Sequence, residues 1–229
     1  INSEIRLMAN LANVENVEDT VPLLPNYYPS TNTTSNINPI VDHAIDIGCF
    51  GAMRPLKNHL TQAFAAMAYA DLKGYKLRFH VNSNRIEMNG ANVLKNLRGL
   101  FNGSGIHELV EHPWTSHEEF LNIIKSMHLC MQVSFTETFN IVTADAVEAG
   151  VPVLVSEEMG WVLSPKADPT STDDMTAKIG YALKNANMCI ARDRIGLKKY
   201  SEDSKKKWLT YLDAIAPTPS KKCFVKLWW

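Results

Sequence analysis

The chain has 229 residues, long for one compact domain and short for two full ones. A formal net charge of -1 and an ordinary 45% hydrophobic content leave no footprint for nucleic acid and no acidic tail. No apolar run reaches membrane-spanning length and no signal peptide opens the chain, so the expected location is the cytoplasm, with at most peripheral membrane contact.

The cysteines, Cys49, Cys130, Cys189 and Cys223, are scattered without a C-x-x-C pair, which predicts buried, reduced thiols. The first residue is Ile1 rather than Met, which leaves room for a longer parent chain. Residues 1–42 read as peripheral. A short helix over Glu4–Asn13 and a strand over Val21–Leu24 precede a run rich in Pro, Asn, Ser and Thr that reads as a linker.

From Ala44 onward the pattern alternates. Strands are expected at Ala44–Phe50, Lys76–Val81, Ile106–Val110, Leu129–Val133 and Val151–Val155, with one more at Gly160–Leu163. Helices are expected at His59–Leu72, Ala91–Phe101, from Ser116 to Met127, after Glu137 up to Gly150, at Thr172–Asn185 and at Met188–Leu212. Gly74 and Gly150 suit helix ends, and Ser116 with Glu119 has the spacing of a capping box. Regular β-α alternation predicts an α/β, Rossmann-like, doubly wound parallel sheet with helices on both faces. The expected divisions are 1–42 as remnant and linker, 43–187 as the Rossmann-like domain, 188–216 as a C-terminal helix and 217–229 as a tail.

In such a sheet, ligands bind beyond the carboxyl ends of strands, where helix N-termini point their amides. Two stretches fall there. After the first strand, G-C-F-G-A-M-R-P-L-K-N carries Gly48 and Gly51 for a close turn and Arg54 and Lys57 as fixed cations suited to a diphosphate. It lacks the spacing of a dinucleotide fingerprint or a P-loop, and on this segment alone a solvated surface loop is the simpler reading. The second stretch runs from Val133 to Trp161 and holds Glu137 in a turn and Asp145 in an apolar helix. A carboxylate inside an apolar helix needs a partner or water, and it also suits vicinal sugar hydroxyls. Read from these residues alone, a sugar-binding pair and a capping acid with a flank acid stand even. The histidines His43, His59, His80, His107, His117 and His128 show no metal spacing and read as structural or surface groups, so no metal is expected.

The span from Pro25 to Trp161 resembles the C-terminal, donor-binding half of retaining nucleotide-sugar glycosyltransferases of the GT-B architecture, the glycosyl transferases group 1. The residues that carry the likeness are Ser134, Glu137, the turn Thr138-Phe139-Asn140, Asp145 and the strand entry Ala149-Gly150-Val151-Pro152-Val153. The sequence departs from that pattern with Asp145 in place of Glu, with Thr138 and Asn140 in place of glycines, and with Arg54 close to Lys57. The resemblance implies a nucleotide-diphospho-sugar as substrate, no cofactor, and metal-independent transfer to a glycan, lipid or small-molecule acceptor. It assigns Glu137, Arg54 and Lys57 to catalysis. Gly51, His112, Ser134, Thr138, Phe139, Asn140 and Asp145 would hold the donor, and the base would lie against the segment from Val110 to Trp114. Packing is the preferred reading of Trp114 itself. An N-terminal domain outside this span would supply the acceptor site. A non-catalytic, regulatory nucleotide- or sugar-binding domain is the alternative.

Overall fold

The computed structural model describes residues 24–29 and 37–215. The expected helix over 4–13, most of the 21–24 strand, much of the linker and the 217–229 tail lie outside the described residues. The described chain runs β1 (Ala44–Gly48), a 3-10 turn (Pro55–Lys57), α1 (His59–Lys73), β2 (Lys76–Asn82), α2 (Gly90–Ser104), β3 (Glu108–His112) and α3 (His117–Lys125). It continues through β4 (Leu129–Gln132), α4 (Ile141–Ala149), β5 (Val153–Val155), α5 (Thr172–Lys184) and α6 (Ala186–Ile215).

The five strands form one sheet in the order β3-β2-β1-β4-β5, and every pairing is parallel. From β1 the chain moves outward through β2 to β3, then crosses back to β4 and β5. Parallel crossovers are right-handed, so this reversal of direction also reverses the face on which the helices lie. Accordingly α1 packs against α2 and α5, while α3 packs against α4. The expected doubly wound sheet is therefore present.

Strand side chains alternate between faces. Ile45 and Ile47 of β1, Leu77, Phe79 and Val81 of β2, and Leu129, Met131 and Val133 around β4 are all fully buried with Ala63, Ala66 and Ala70 of α1. Burying a Leu- or Phe-sized side chain contributes about 1.5–3 kcal/mol, so this layer supplies a large driving force. The local signals also hold. Ser116 and Glu119 form the reciprocal capping box of α3, and Gly74 and Gly150 end α1 and α4 with positive φ. Cys49, Cys130 and Cys189 are buried free thiols, and burial pushes the Cys49 thiol up to about 12.

One expected strand is absent. Gly160–Leu163 is a turn, because its amides find other acceptors: Val162 donates to the Met159 carbonyl, and Leu163 donates to the Asp193 carboxylate. Among the described residues no helix is long and apolar enough to cross a membrane.

The chain divides into two compact units, Ser30–Leu197 and a second made of Ile1–Pro29 with Lys198–Trp229. The sheet lies entirely in the first. Within the second, the Trp208 indole donates to the Pro25 carbonyl at 2.8 Å.

Candidate functional site

The strand order reverses between β1 and β4, and the carboxyl ends of these neighbours open the crevice where such sheets bind ligands. The loop after β1 is stitched to the loop after β2. Gly51 donates its amide to Asn82 Oδ1 at 2.9 Å, Met53 donates to the Arg85 carbonyl, and Glu87 donates back to Met53. Gly51 has φ 108 and Gly90 lies so close that an added Cβ would stand 1.9 Å from the Met53 carbonyl oxygen. Both glycines are needed for this approach. The 3-10 turn then delivers Lys57 into the crevice, and Asn58 fastens the turn by donating to the Val133 and Pro169 carbonyls.

Lys57 meets Glu137 there. The ammonium and the carboxylate are ion-paired, with side chains only 10% and 6% exposed. Taking two charges out of water is costly and is offset only by close pairing and further hydrogen bonds. Gln132, the last residue of β4, supplies that support. Its Oε1 accepts from Asn140 Nδ2 at 2.9 Å and lies 3.5 Å from Lys57 Nζ, while its own amide donates to the Phe50 carbonyl. Gln132 therefore ties the β1 loop to the turn before α4. Asn140 caps α4 from φ 57, with its Oδ1 accepting from the Thr143 amide. The first amides of a helix lack intrahelical acceptors and carry its positive end, so α4 opens with donors suited to an anion. Thr138 is exposed in this turn, whereas Phe139 is buried against Trp161.

A second part of the site lies beside it. Gly51, Asn82, Trp114, Thr115, His117, Phe120, Ile141, Val142 and Asp145 line a cleft of about 220 Å³. Asp145 is 2% exposed overall and pairs with His117 Nε2 at 3.0 Å. This answers the question that its position in an apolar helix raised: the carboxylate has a cationic-capable partner and borders the cleft. Trp114 is 52% exposed, so it is not a core residue as packing would have it. Its backbone amide donates to Asn84, and the Arg85 guanidinium stands 4.6 Å from its ring centroid. The Thr115 hydroxyl is buried at this wall with no partner among the described residues.

Three predicted residues sit apart from these groups. Ser134 is fully buried, and its hydroxyl has no partner among the described residues. Arg54 reaches no closer than 3.9 Å to Glu87, and its Nε is buried with no partner among the described residues. His112 does not line the cleft. It bonds to His80 at 2.9 Å and packs its ring on Phe50. That contact belongs to a polar network on the face opposite the core: His80 and the bidentate Arg78 both bond to Asp46. Burial alone raises the Asp46 carboxyl, but its hydrogen bonds from His80 and Arg78 outweigh that and hold it well below the usual carboxylate range. Burial, with the charge of His80, lowers the pKa of His112. Among the described residues no three His, Cys, Asp or Glu side chains are grouped to hold a metal.

The sequence singles out none of Gln132, Asn82 and Thr115, and it reads His117 only as a structural or surface histidine, whereas the structure places it in the cleft. Gln132 and Asn82 carried a signal, since each is a polar residue at the carboxyl end of a buried strand. His117 carried none: its partner is 28 residues away, and nothing local links them.

Similar folds are known among solved structures. A trehalose-6-phosphate synthase, studied for glycosyltransfer with retention, superposes with a TM-score of 0.62 at 14% identity, over 76% of this chain and 46% of its own. A trehalose-6-phosphate structure from E. coli bound with UDP-2-fluoro glucose gives 0.61 at 14% identity, over 78% and 45%. The sucrose-phosphate synthase of Thermosynechococcus elongatus gives 0.59 at 16% identity, over 76% and 46%. This chain thus spans less than half the length of each. No curated protein matches the sequence. The family model described as Family 4 Glycosyltransferase in conflict systems matches residues 10–187. With that match and a Rossmann-like sheet of the kind found in the C-terminal domain of GT-B enzymes, the chain belongs to the family 4 glycosyltransferases of conflict systems.

Proposed function

We propose that this chain binds a nucleotide-diphospho-sugar and takes part in transferring the sugar, with retention and without a metal, to an acceptor held partly by a further, N-terminal domain. The observation that carries this reading is the buried Lys57–Glu137 pair at the switch point, beside the N-terminus of α4 and next to the cleft of Asp145.

The roles follow from charge and position. Transfer breaks the bond between the sugar's anomeric carbon and the diphosphate, so negative charge grows on the leaving group. Lys57, with the amides at the start of α4, is placed to stabilise that charge before it forms, and Arg54 adds positive potential from the same loop. Glu137, held by Lys57, orients the sugar. Asp145, held by His117, accepts from ribose hydroxyls, and the exposed face of Trp114 offers the base a stacking surface. The acceptor oxygen attacks from the side the diphosphate leaves, and the acceptor's proton passes to the departing phosphate oxygen. The trehalose-6-phosphate synthase that this fold resembles works with retention.

The test is a calorimetric titration of UDP- and GDP-sugars into the full chain, with and without EDTA. Binding should persist in EDTA. Lys57→Ala removes a charged hydrogen-bonding group, typically 1.5–3 kcal/mol, and should weaken the preferred donor by about 10- to 100-fold. Asp145→Ala should weaken the free nucleoside as well. Absence of binding by any nucleotide sugar at millimolar concentration would refute the assignment.

A further inference from the structure

We propose that Trp161 and Asp193 are positioning residues that aim the diphosphate-facing turn between Glu137 and α4; this rests on the donor-site reading above. Neither residue borders the cleft, and the hydrogen bonds of both go to groups other than Lys57 and Glu137.

The grip starts on α6. Cys189, Asp193 and Gly196 lie at helical spacing and so share one face. Asp193 is fully buried, and its Oδ1 accepts from the amides of Leu163 at 2.9 Å and Ser164 at 2.8 Å. Ser164 donates its hydroxyl to the Cys189 carbonyl at 3.2 Å. At Gly196 an added Cβ would stand 2.0 Å from the Trp161 carbonyl oxygen, so only glycine allows the helix this close. The segment 161–164 is therefore clamped along its backbone, which is also why it is not a strand.

Trp161 passes this hold to the turn. It is 6% exposed, its indole donates to the Phe139 carbonyl at 2.8 Å, and its ring lies against the Phe139 ring with centroids 5.7 Å apart. Met159, two residues before Trp161, accepts a hydrogen bond from the Thr143 hydroxyl on α4. A trans peptide sets the carbonyl of one residue and the amide of the next in opposite directions across one plane. Fixing the Phe139 carbonyl on Trp161 therefore aims the Asn140 amide to the opposite side. Asn140 is in the left-handed region at φ 57, and Gln132 holds its side chain, so the peptide is gripped at both ends.

The experiment compares the full chain with Trp161→Phe, which removes the indole N–H and keeps a smaller aromatic ring in its place, and with Asp193→Ala and Asp193→Asn. Each is titrated with uridine, UDP and UDP-glucose, or with the guanosine series if that base is preferred. Trp161→Phe and Asp193→Ala should leave nucleoside affinity within about twofold and weaken the diphosphate ligands about tenfold. Asp193→Asn keeps an oxygen acceptor and should stay near wild type. Equal losses for nucleoside and diphosphate, or none for either, overturn the proposal. Should Trp161→Phe fail to fold, Asp193→Ala carries the same comparison. If the wild-type chain binds nucleoside but gains nothing from the diphosphate, the donor-site reading falls first and this inference with it.

Discussion

Replacing His59 by leucine should make the protein less sensitive to acid. His59 opens α1, is 1% exposed, and pairs neither ring nitrogen among the described residues. Burial, reinforced by the charges of Lys57 and Arg54, lowers its pKa to about 3. In the unfolded chain an ordinary histidine titrates near about 6.5. Between those values the unfolded chain takes the proton and the folded one does not. Stability is therefore unaffected by His59 above about pH 6.5 and is lost as pH falls toward 3. From pH 7 to pH 5 the loss works out at about 2 kcal/mol, since each unit of difference is worth about 1.4 kcal/mol. Urea unfolding of wild type and His59→Leu at both pH values measures it. Other groups titrate alike in the two proteins, so the stability gap between them should move in the variant's favour by about 2 kcal/mol on acidification. A gap that does not change with pH would show that folded His59 accepts a proton as readily as the free residue, and the reasoning would fail.

Two further outcomes follow from packing and charge. Gly90→Ala drives a Cβ into the Met53 carbonyl, a backbone atom that cannot rotate away, and should cost about 1–3 kcal/mol in denaturant unfolding while disturbing the loop that carries Arg54 and Lys57. A Gly90→Ala protein as stable as wild type would show that the two loops are not locked together. Asp46→Asn keeps an oxygen acceptor but removes the negative charge shared by Arg78 and His80. Because Arg78 is 42% exposed, solvent screens part of the effect, and about 2 kcal/mol is expected near neutral pH. The folded Asp46 carboxyl titrates below its unfolded value, so its contribution is present above about pH 4 and fades as pH falls below that. The gap between Asp46→Asn and wild type should accordingly close in acid; a gap that widens would contradict the assigned charge state.

What the sequence determined by itself was everything written in local period. Alternating runs and apolar stripes marked β1 to β5 and α1 to α6, because each element's own burial pattern repeats within a few residues. Ser116 with Glu119 and the glycines at 74 and 150 marked helix ends for the same reason: caps are satisfied by neighbours in sequence. Lys57, Glu137 and Asp145 stood out as charges at strand ends or in apolar surroundings. Their partners did not. Lys57 and Glu137 are 80 residues apart, and they meet only because β1 and β4 are neighbours at the point where the strand order reverses. Gln132 became a hub, and His117 became the partner of Asp145, through the same crossing of distant segments. The expected strand at 160–163 failed for a tertiary reason too. Its apolar residues suit a strand, but Asp193 and Gly196 on α6 take up its backbone, and no local pattern records which distant acceptor an amide will find.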